Sequence, residues 1–236
     1  MNANGFEKLH GIDEMDEKQV LTLCRTAEWL TRQKLSGTIE LYRPVKVQTG
    51  RTPRQTGARR IRRTNVMKRI GILGAGTWGM ALARMLTVSG NDVLVWSAIE
   101  KEIDSLSTTR KHPNLPQMKI PDELRFTKSI EEVCKDKDIL LFAVPSVFVR
   151  STAAKARPYV ADGQIIVDVA KGIEPDTLYT MTEILADELG KEGGPKGVRL
   201  VALSGPTHAE EVAIDLPTTI VSACPDEAAA EYVQDV

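Results

Sequence analysis

Three glycines, Gly74, Gly76 and Gly79, stand in the run GAGTWG between two apolar segments, a spacing suited to holding a phosphate. Gly74 permits a tight turn, Gly76 lets a pyrophosphate come close to the backbone without meeting a Cβ, and Gly79 lets a helix lie close on a strand. The first N–H groups of that helix would face the phosphates, with roughly half a positive charge from the helix dipole behind them. Two further stretches could do chemistry. Lys171, in VAKGIE, follows an apolar run and would carry its ammonium beyond the carboxyl end of a strand, where ligands of open α/β sheets bind. Gly205-Pro206-Thr207-His208, in LSGPTHAEE, brings small residues, backbone N–H groups and a hydroxyl to a similar edge, suited to a phosphate. His208 alone could be a general base. More often such a histidine packs or faces solvent.

The elements that must carry these residues are regular. Ile70 to Leu73 suits a buried parallel strand, and the segment after Gly79, with Ala81, Leu82, Ala83, Met85 and Leu86, suits a helix. That helix is apolar all round, which predicts a covered face. Asp92 to Trp96 is a second strand and Ile99 to Leu106 a helix, followed by a turn-rich stretch from Arg110 to Pro121. Leu124 to Thr127 is a short strand, and Ser129 caps a helix through Cys134. Strands at Asp138 to Val144, Gln164 to Val169 and Leu200 to Ser204 follow, with a helix from Val147 to Pro158 and another beginning at Asp226. Strands alternating with helices predict an α/β fold, a Rossmann-like doubly wound and mostly parallel sheet.

Of the 236 residues 42% are hydrophobic and 27% charged, an ordinary globular balance that can bury a sizeable core. Cys24, Cys134 and Cys224 are scattered and odd in number, which supports neither a disulfide framework nor a metal site and favours a reducing cytoplasm. No apolar run approaches the roughly 18 residues of a membrane span, and no signal-peptide layout opens the chain. The charge is divided. Residues 1–66 hold 13 Lys/Arg against 7 Asp/Glu, and residues 67–236 hold 18 against 25, so the two parts are +6 and −7.

Residues 1–66 read as an atypical, poorly ordered basic extension. It holds one plausible helix from Asp13 to Leu35, a short strand at Thr38 to Tyr42, and the cluster Arg51, Arg54, Arg59, Arg60, Arg62 and Arg63. A nucleic-acid arm is conceivable there, but no aromatic residue interleaves with the arginines, and a solvated stretch is the preferred reading. Met67-Lys68-Arg69-Ile70 reads as a natural start, so residues 67–236 are expected to form the dinucleotide-binding domain.

GILGAGTWGMALA, VPSVFVR, VAKGIEP and LSGPTHAEEVAIDLPTT occur in an order and spacing that resembles bacterial-type NAD(P)-dependent glycerol-3-phosphate dehydrogenase over residues 67–236. The resemblance implies NAD or NADP as cofactor and reversible hydride transfer to dihydroxyacetone phosphate. The product, sn-glycerol 3-phosphate, would feed phospholipid synthesis in the cytoplasm. By motif position it implies Thr77 and Trp78 on the cofactor beside Gly74, Gly76 and Gly79, and Lys171 between cofactor and substrate. It further implies Gly205 and Thr207 on glycerol phosphate and Ala209 on the cofactor. From the residues themselves no metal, no nucleic acid and no membrane insertion are expected, and a homodimer at full length is compatible with the resemblance. Ketopantoate reductase and hydroxyacyl-CoA dehydrogenase share the fold, but AKGIE and SGPTHAEE argue against them.

Three departures qualify the resemblance. Family members commonly carry His or Arg after the second strand, where this chain has Ala98 and Ile99, so a 2′-phosphate finds no bidentate partner and any NADP preference is expected to be weak. Asn114 occupies a loop position that is often aromatic. The family's helical second domain, with its general-base lysine, would lie beyond Val236, and Lys171 is not that lysine. The chain is therefore expected to be a cofactor-binding fragment that binds NAD(H) weakly and does not turn over.

Overall fold

The computed structural model describes residues 66–216 and 218–236. The helix, strand and arginine cluster expected within residues 1–65 lie outside the described residues. The elements run β1 (Arg69–Leu73), α1 (Thr77–Val88), β2 (Asp92–Trp96), α2 (Glu100–Thr109), β3 (Arg125–Thr127), α3 (Ile130–Cys134), β4 (Ile139–Phe142) and α4 (Val149–Ala156). They continue with β5 (Ile165–Asp168), α5 (Met181–Leu189), β6 (Arg199–Ser204), α6 (Ala209–Val212), β7 (Val221–Ala223) and α7 (Glu227–Asp235).

The strands form one sheet in the order β3-β2-β1-β4-β5-β6-β7. Every neighbouring pair is parallel except β6 and β7. Register alternates side chains between the two faces, and both faces are apolar, as a parallel sheet covered on both sides requires. One face presents Ile70, Ile72, Val93, Val95, Ile139, Leu141, Ile165, Val167 and Val201 to α1, α2, α6 and α7. The opposite face presents Leu73, Leu94, Trp96, Leu140, Phe142 and Ile166 to α3, α4 and α5. The doubly wound sheet is thus built from strands that are continuous hydrophobic runs. The strand order reverses between β1 and β4, the crevice where such sheets take their ligands.

Several local forms differ from the sequence expectation. The stretch Val147 to Pro158 is not one helix: a 3-10 turn at Ser146–Phe148 leads into α4, and a second at Arg157–Tyr159, with Pro158 inside it, ends the element. Helix α1 buries Met80, Ala81, Leu82, Ala83 and Leu86 but leaves Met85 and Val88 exposed, so one stripe of an apolar helix faces out. Helix α5 was not expected. Thr180 opens it with a capping box, its hydroxyl accepting from Glu183 N while the Glu183 carboxylate accepts from Thr180 N. The antiparallel edge strand β7 was not expected either. Among the described residues no helix is long and apolar enough to cross a membrane.

Candidate functional site

The parallel strands deliver the turns after β1, β4, β5 and β6 to one edge of the sheet, and the residues singled out by type and spacing lie there. Gly74 follows β1 with φ +123°, and its N–H donates to Trp96 O at 2.8 Å. A Cβ at Gly74 would stand 2.6 Å from Ala143 O, so the turn is pressed against the end of β4. A Cβ at Gly79 would stand 2.2 Å from Gly74 O, so the first turn of α1 rests on the turn before it. Both positions exclude any side chain. Gly76 is different: nothing lies within 4 Å of where its Cβ would be, and the residue is exposed.

The first α1 hydrogen bond runs from Met80 N to Gly76 O at 2.9 Å. The amides of Thr77, Trp78 and Gly79 therefore precede the helical ladder, with no side-chain cap on them and no acidic residue in the first turn. Open space over Gly76, uncapped amides and an uncompensated dipole form a cradle that a pyrophosphate fits. Thr77 and Trp78 are half-buried, with Trp78 packed against the core under α1.

The turns after β5 and β6 are joined by side chains. Lys171 is exposed and its Nζ donates to Gly205 O at 2.9 Å, a carbonyl that also accepts from Thr207 N at 2.9 Å. Lys171, Gly205 and Thr207 are thus brought together. A Cβ on the buried Gly205 would stand 2.4 Å from Thr219 O. Ala209 begins α6, half-buried against the same core as Trp78. His208 precedes it as N-cap without a side-chain cap bond and is exposed. Asn114 lies in the turn-rich stretch, where its N–H donates to Nδ1 of the buried His112 at 3.2 Å.

Two features escaped the sequence reading. Asp168, the last residue of β5, is 5% exposed and accepts from Ala170 N at 3.1 Å. Burial pushes its carboxyl up to about 7, against the smaller lowering effect of that amide. The signal was there in principle, since Asp168 interrupts the apolar run QIIVDVA. The second is an ionic clamp. Arg150 on α4 makes a bidentate contact with Glu174, Nε to Oε1 at 2.8 Å and Nη2 to Oε2 at 2.7 Å, and also donates to Asp187. The Thr177 hydroxyl donates to Glu174 at 2.6 Å. The Arg150 guanidinium, with Thr177, holds the Glu174 carboxyl down to about 2. Glu188, buried on α5, accepts from Arg157 at 2.9 Å and from Lys191. The clamp ties the segment carrying Lys171 to the helix after β4, and no local pattern announces a pair 24 residues apart.

Around these turns the chain leaves large apolar side chains in the open, with Phe148 56% and Leu178 73% exposed and Val147, Ile173 and Tyr179 exposed as well.

Known proteins give the same picture over the same segment. Residues 69–230 match the family model for the NAD-dependent glycerol-3-phosphate dehydrogenase N-terminus. Glycerol-3-phosphate dehydrogenase [NAD(P)+] 2 of Lactobacillus delbrueckii subsp. bulgaricus is 69% identical over 170 residues, covering 72% of this chain and 50% of that protein. The corresponding enzyme of Agathobacter rectalis is 47% identical over 171 residues, covering 72% and 49%. The crystal structure of glycerol-3-phosphate dehydrogenase from Coxiella burnetii superposes with a TM-score of 0.62 at 28% identity, covering 71% of this chain and 50% of that one. The chain spans about half the length of the curated relatives it matches.

Proposed function

Because the chain belongs to the family defined by the N-terminal domain of NAD-dependent glycerol-3-phosphate dehydrogenase, we propose that it supplies the cofactor half of that enzyme. The reaction is reversible hydride transfer between NAD(P)H and dihydroxyacetone phosphate, giving sn-glycerol 3-phosphate for phospholipid synthesis. Residues 67–236 are the dinucleotide-binding domain, and residues 1–66 are an extension to it. The setting is the cytoplasm, and the full-length protein forms a homodimer.

One observation carries the reading. The turn between β1 and α1 has two glycine positions closed to any side chain and one, Gly76, open to solvent beneath uncapped helical amides. The nicotinamide ring, when bound, supplies the hydride, and the chain's own residues bind and orient it. Gly74, Gly76, Thr77, Trp78 and Gly79 hold the pyrophosphate side, and Ala209 lies against the cofactor from the β6 turn. Lys171, Gly205 and Thr207 take the phosphorylated substrate. The Lys171 ammonium, already beside the β6 turn, can place positive charge near a developing alkoxide. General acid–base work is assigned to none of these residues.

Calorimetric titration of the 236-residue chain with NADH tests the reading. Saturating heat at one equivalent is the expected result, strengthened when dihydroxyacetone phosphate is present. Absence of heat from a folded sample, for either nicotinamide dinucleotide, overturns it. Steady reduction of dihydroxyacetone phosphate by the 236-residue chain would instead show that it carries its own acid–base group.

A further inference from the structure

Burying a carboxyl costs free energy unless something holds it, so an acid at the buried end of a strand calls for a reason. Asp168 closes β5, pairing across the ladder with Phe142 on β4 and Ala202 on β6, and it is 5% exposed. Among the described residues no cation pairs with it; burial and one backbone amide set its proton affinity. The amide is that of Ala170, which donates to Asp168 Oδ1 at 3.1 Å. An aspartate oxygen that accepts from the N–H two residues on bends the chain into a defined turn. The residue that this turn presents next is Lys171.

The backbone is held on either side of that lysine. Before it, Val169 N donates to Phe142 O at 3.1 Å, which carries the β5 ladder one residue past Asp168. After it, a Cβ at Gly172 would stand 2.8 Å from Ser146 Cβ, so the chain lies against the turn that follows β4. Lys171 is thus an exposed side chain on a pinned backbone. Its Nζ spans the gap between the β5 and β6 turns to reach Gly205 O at 2.9 Å. An ammonium on a flexible four-carbon stem is aimed only as well as its backbone is held, and a misplacement of about 1 Å is felt at a reacting centre.

We infer that Asp168 is the positioning residue for Lys171: by holding the Ala170 amide it sets the turn from which the ammonium reaches between dinucleotide and phosphorylated substrate. The inference rests on the cofactor reading above and adds a residue that acts through the lysine. What the turn requires of Asp168 is an acceptor oxygen rather than a charge, so an asparagine can replace it.

A double-mutant cycle tests it, read by calorimetric titration of the 236-residue chain with NADH at one fixed pH, with dihydroxyacetone phosphate present throughout. K171A should weaken binding about tenfold, the scale of one hydrogen bond to a charged group. D168A should weaken it severalfold. D168N should stay within about twofold of the unaltered chain, since its amide oxygen still accepts from Ala170 N. Placed on K171A, D168A should cost less than about twofold more, because its effect passes through the lysine. A loss from D168A that is as large without Lys171 as with it marks a merely structural role and overturns the inference. So does a D168A that binds like the unaltered chain, or a D168N as damaging as D168A. D168V, which fills a strand position without an acceptor, takes the place of D168A if melting shows that variant unfolded. Unchanged binding in K171A removes the lysine's role and this inference while the dinucleotide site stands. Silence of the unaltered chain toward NADH removes the cofactor reading as a whole.

Discussion

The turn after β1 and the turns after β5 and β6 both serve the same edge of the sheet, yet they are made of different materials. The first is backbone: two glycines without room for a Cβ, one with open space, and amides ahead of the helical ladder. The second is side chain: Lys171 reaching Gly205 O, Arg150 gripping Glu174, and Asp168 buried at the strand end. A backbone site is fixed by covalent geometry and fails through steric clash. A side-chain site is fixed by ion pairs and burial and answers to pH and charge.

The sharpest way to break the contrast is at Gly79 and Gly74. G79A places a Cβ 2.2 Å from Gly74 O, a backbone atom that cannot swing away, and G74A adds a positive φ to a 2.6 Å clash. Each should cost about 1–3 kcal/mol of stability and lower NADH affinity by more than about tenfold, read by thermal melting and calorimetry. If NADH binding survives in a folded G79A, the cradle does not depend on the close approach of α1.

On the side-chain half the test falls on Asp168, whose folded-state carboxyl is raised from 3.8 to about 7. A raised carboxyl means that the folded state holds the proton more tightly, so this group's contribution is complete below pH 4 and declines as pH rises toward 7. D168N should remove that decline and gain stability relative to the unaltered chain above pH 7, by roughly 4 kcal/mol at most. Melting curves between pH 4 and 8 check it. Parallel profiles for the two proteins would mean that Asp168 titrates as an ordinary surface acid.

The clamp comes third. R150K keeps the charge and loses the bidentate contact, and should lower Tm by a few degrees while leaving the β1 cradle's pyrophosphate affinity in place. Glu174, held down to about 2, contributes stability that is present above its unfolded value near 4.5 and is lost as pH falls toward 2. The difference in Tm between R150K and the unaltered chain should therefore shrink in acid. A difference that grows in acid would assign the stability to another group. The smallest effect belongs to H208A. His208 is exposed and caps nothing through its side chain, so NADH affinity should stay within about twofold. A larger loss, measured by the same titration, would return His208 to the site.

The same contrast governs what the sequence made legible. Strand β2 was read with its observed bounds, because an apolar run closed by turn residues has few alternatives. The jobs of Gly74, Gly76 and Gly79 were readable because they depend on neighbours a few residues away. Helix α5 is short, and its start is marked by the capping box of Thr180 and Glu183 rather than by a long apolar run. Strand β7, with three half-buried residues, carries too short a pattern to register. The Arg150–Glu174 pair arises only when β4, β5 and their helices are assembled, and no short window of sequence contains it, whereas Asp168 shows in sequence as a break in an apolar run and only its raised carboxyl depends on assembly.

One feature of the sheet has a bearing on how the protein behaves in a crowded solution. Among the described residues its two flanks are β3 and β7, each only three residues long, and β7 runs against the grain of its neighbour. A stray extended chain arriving at either border finds a few unpaired peptide groups and then no further template, so growth of fibrils by strand addition is stopped at both borders. Self-association would have to begin instead on the greasy rim at Phe148 and Leu178, where detergent or added salt would be felt first.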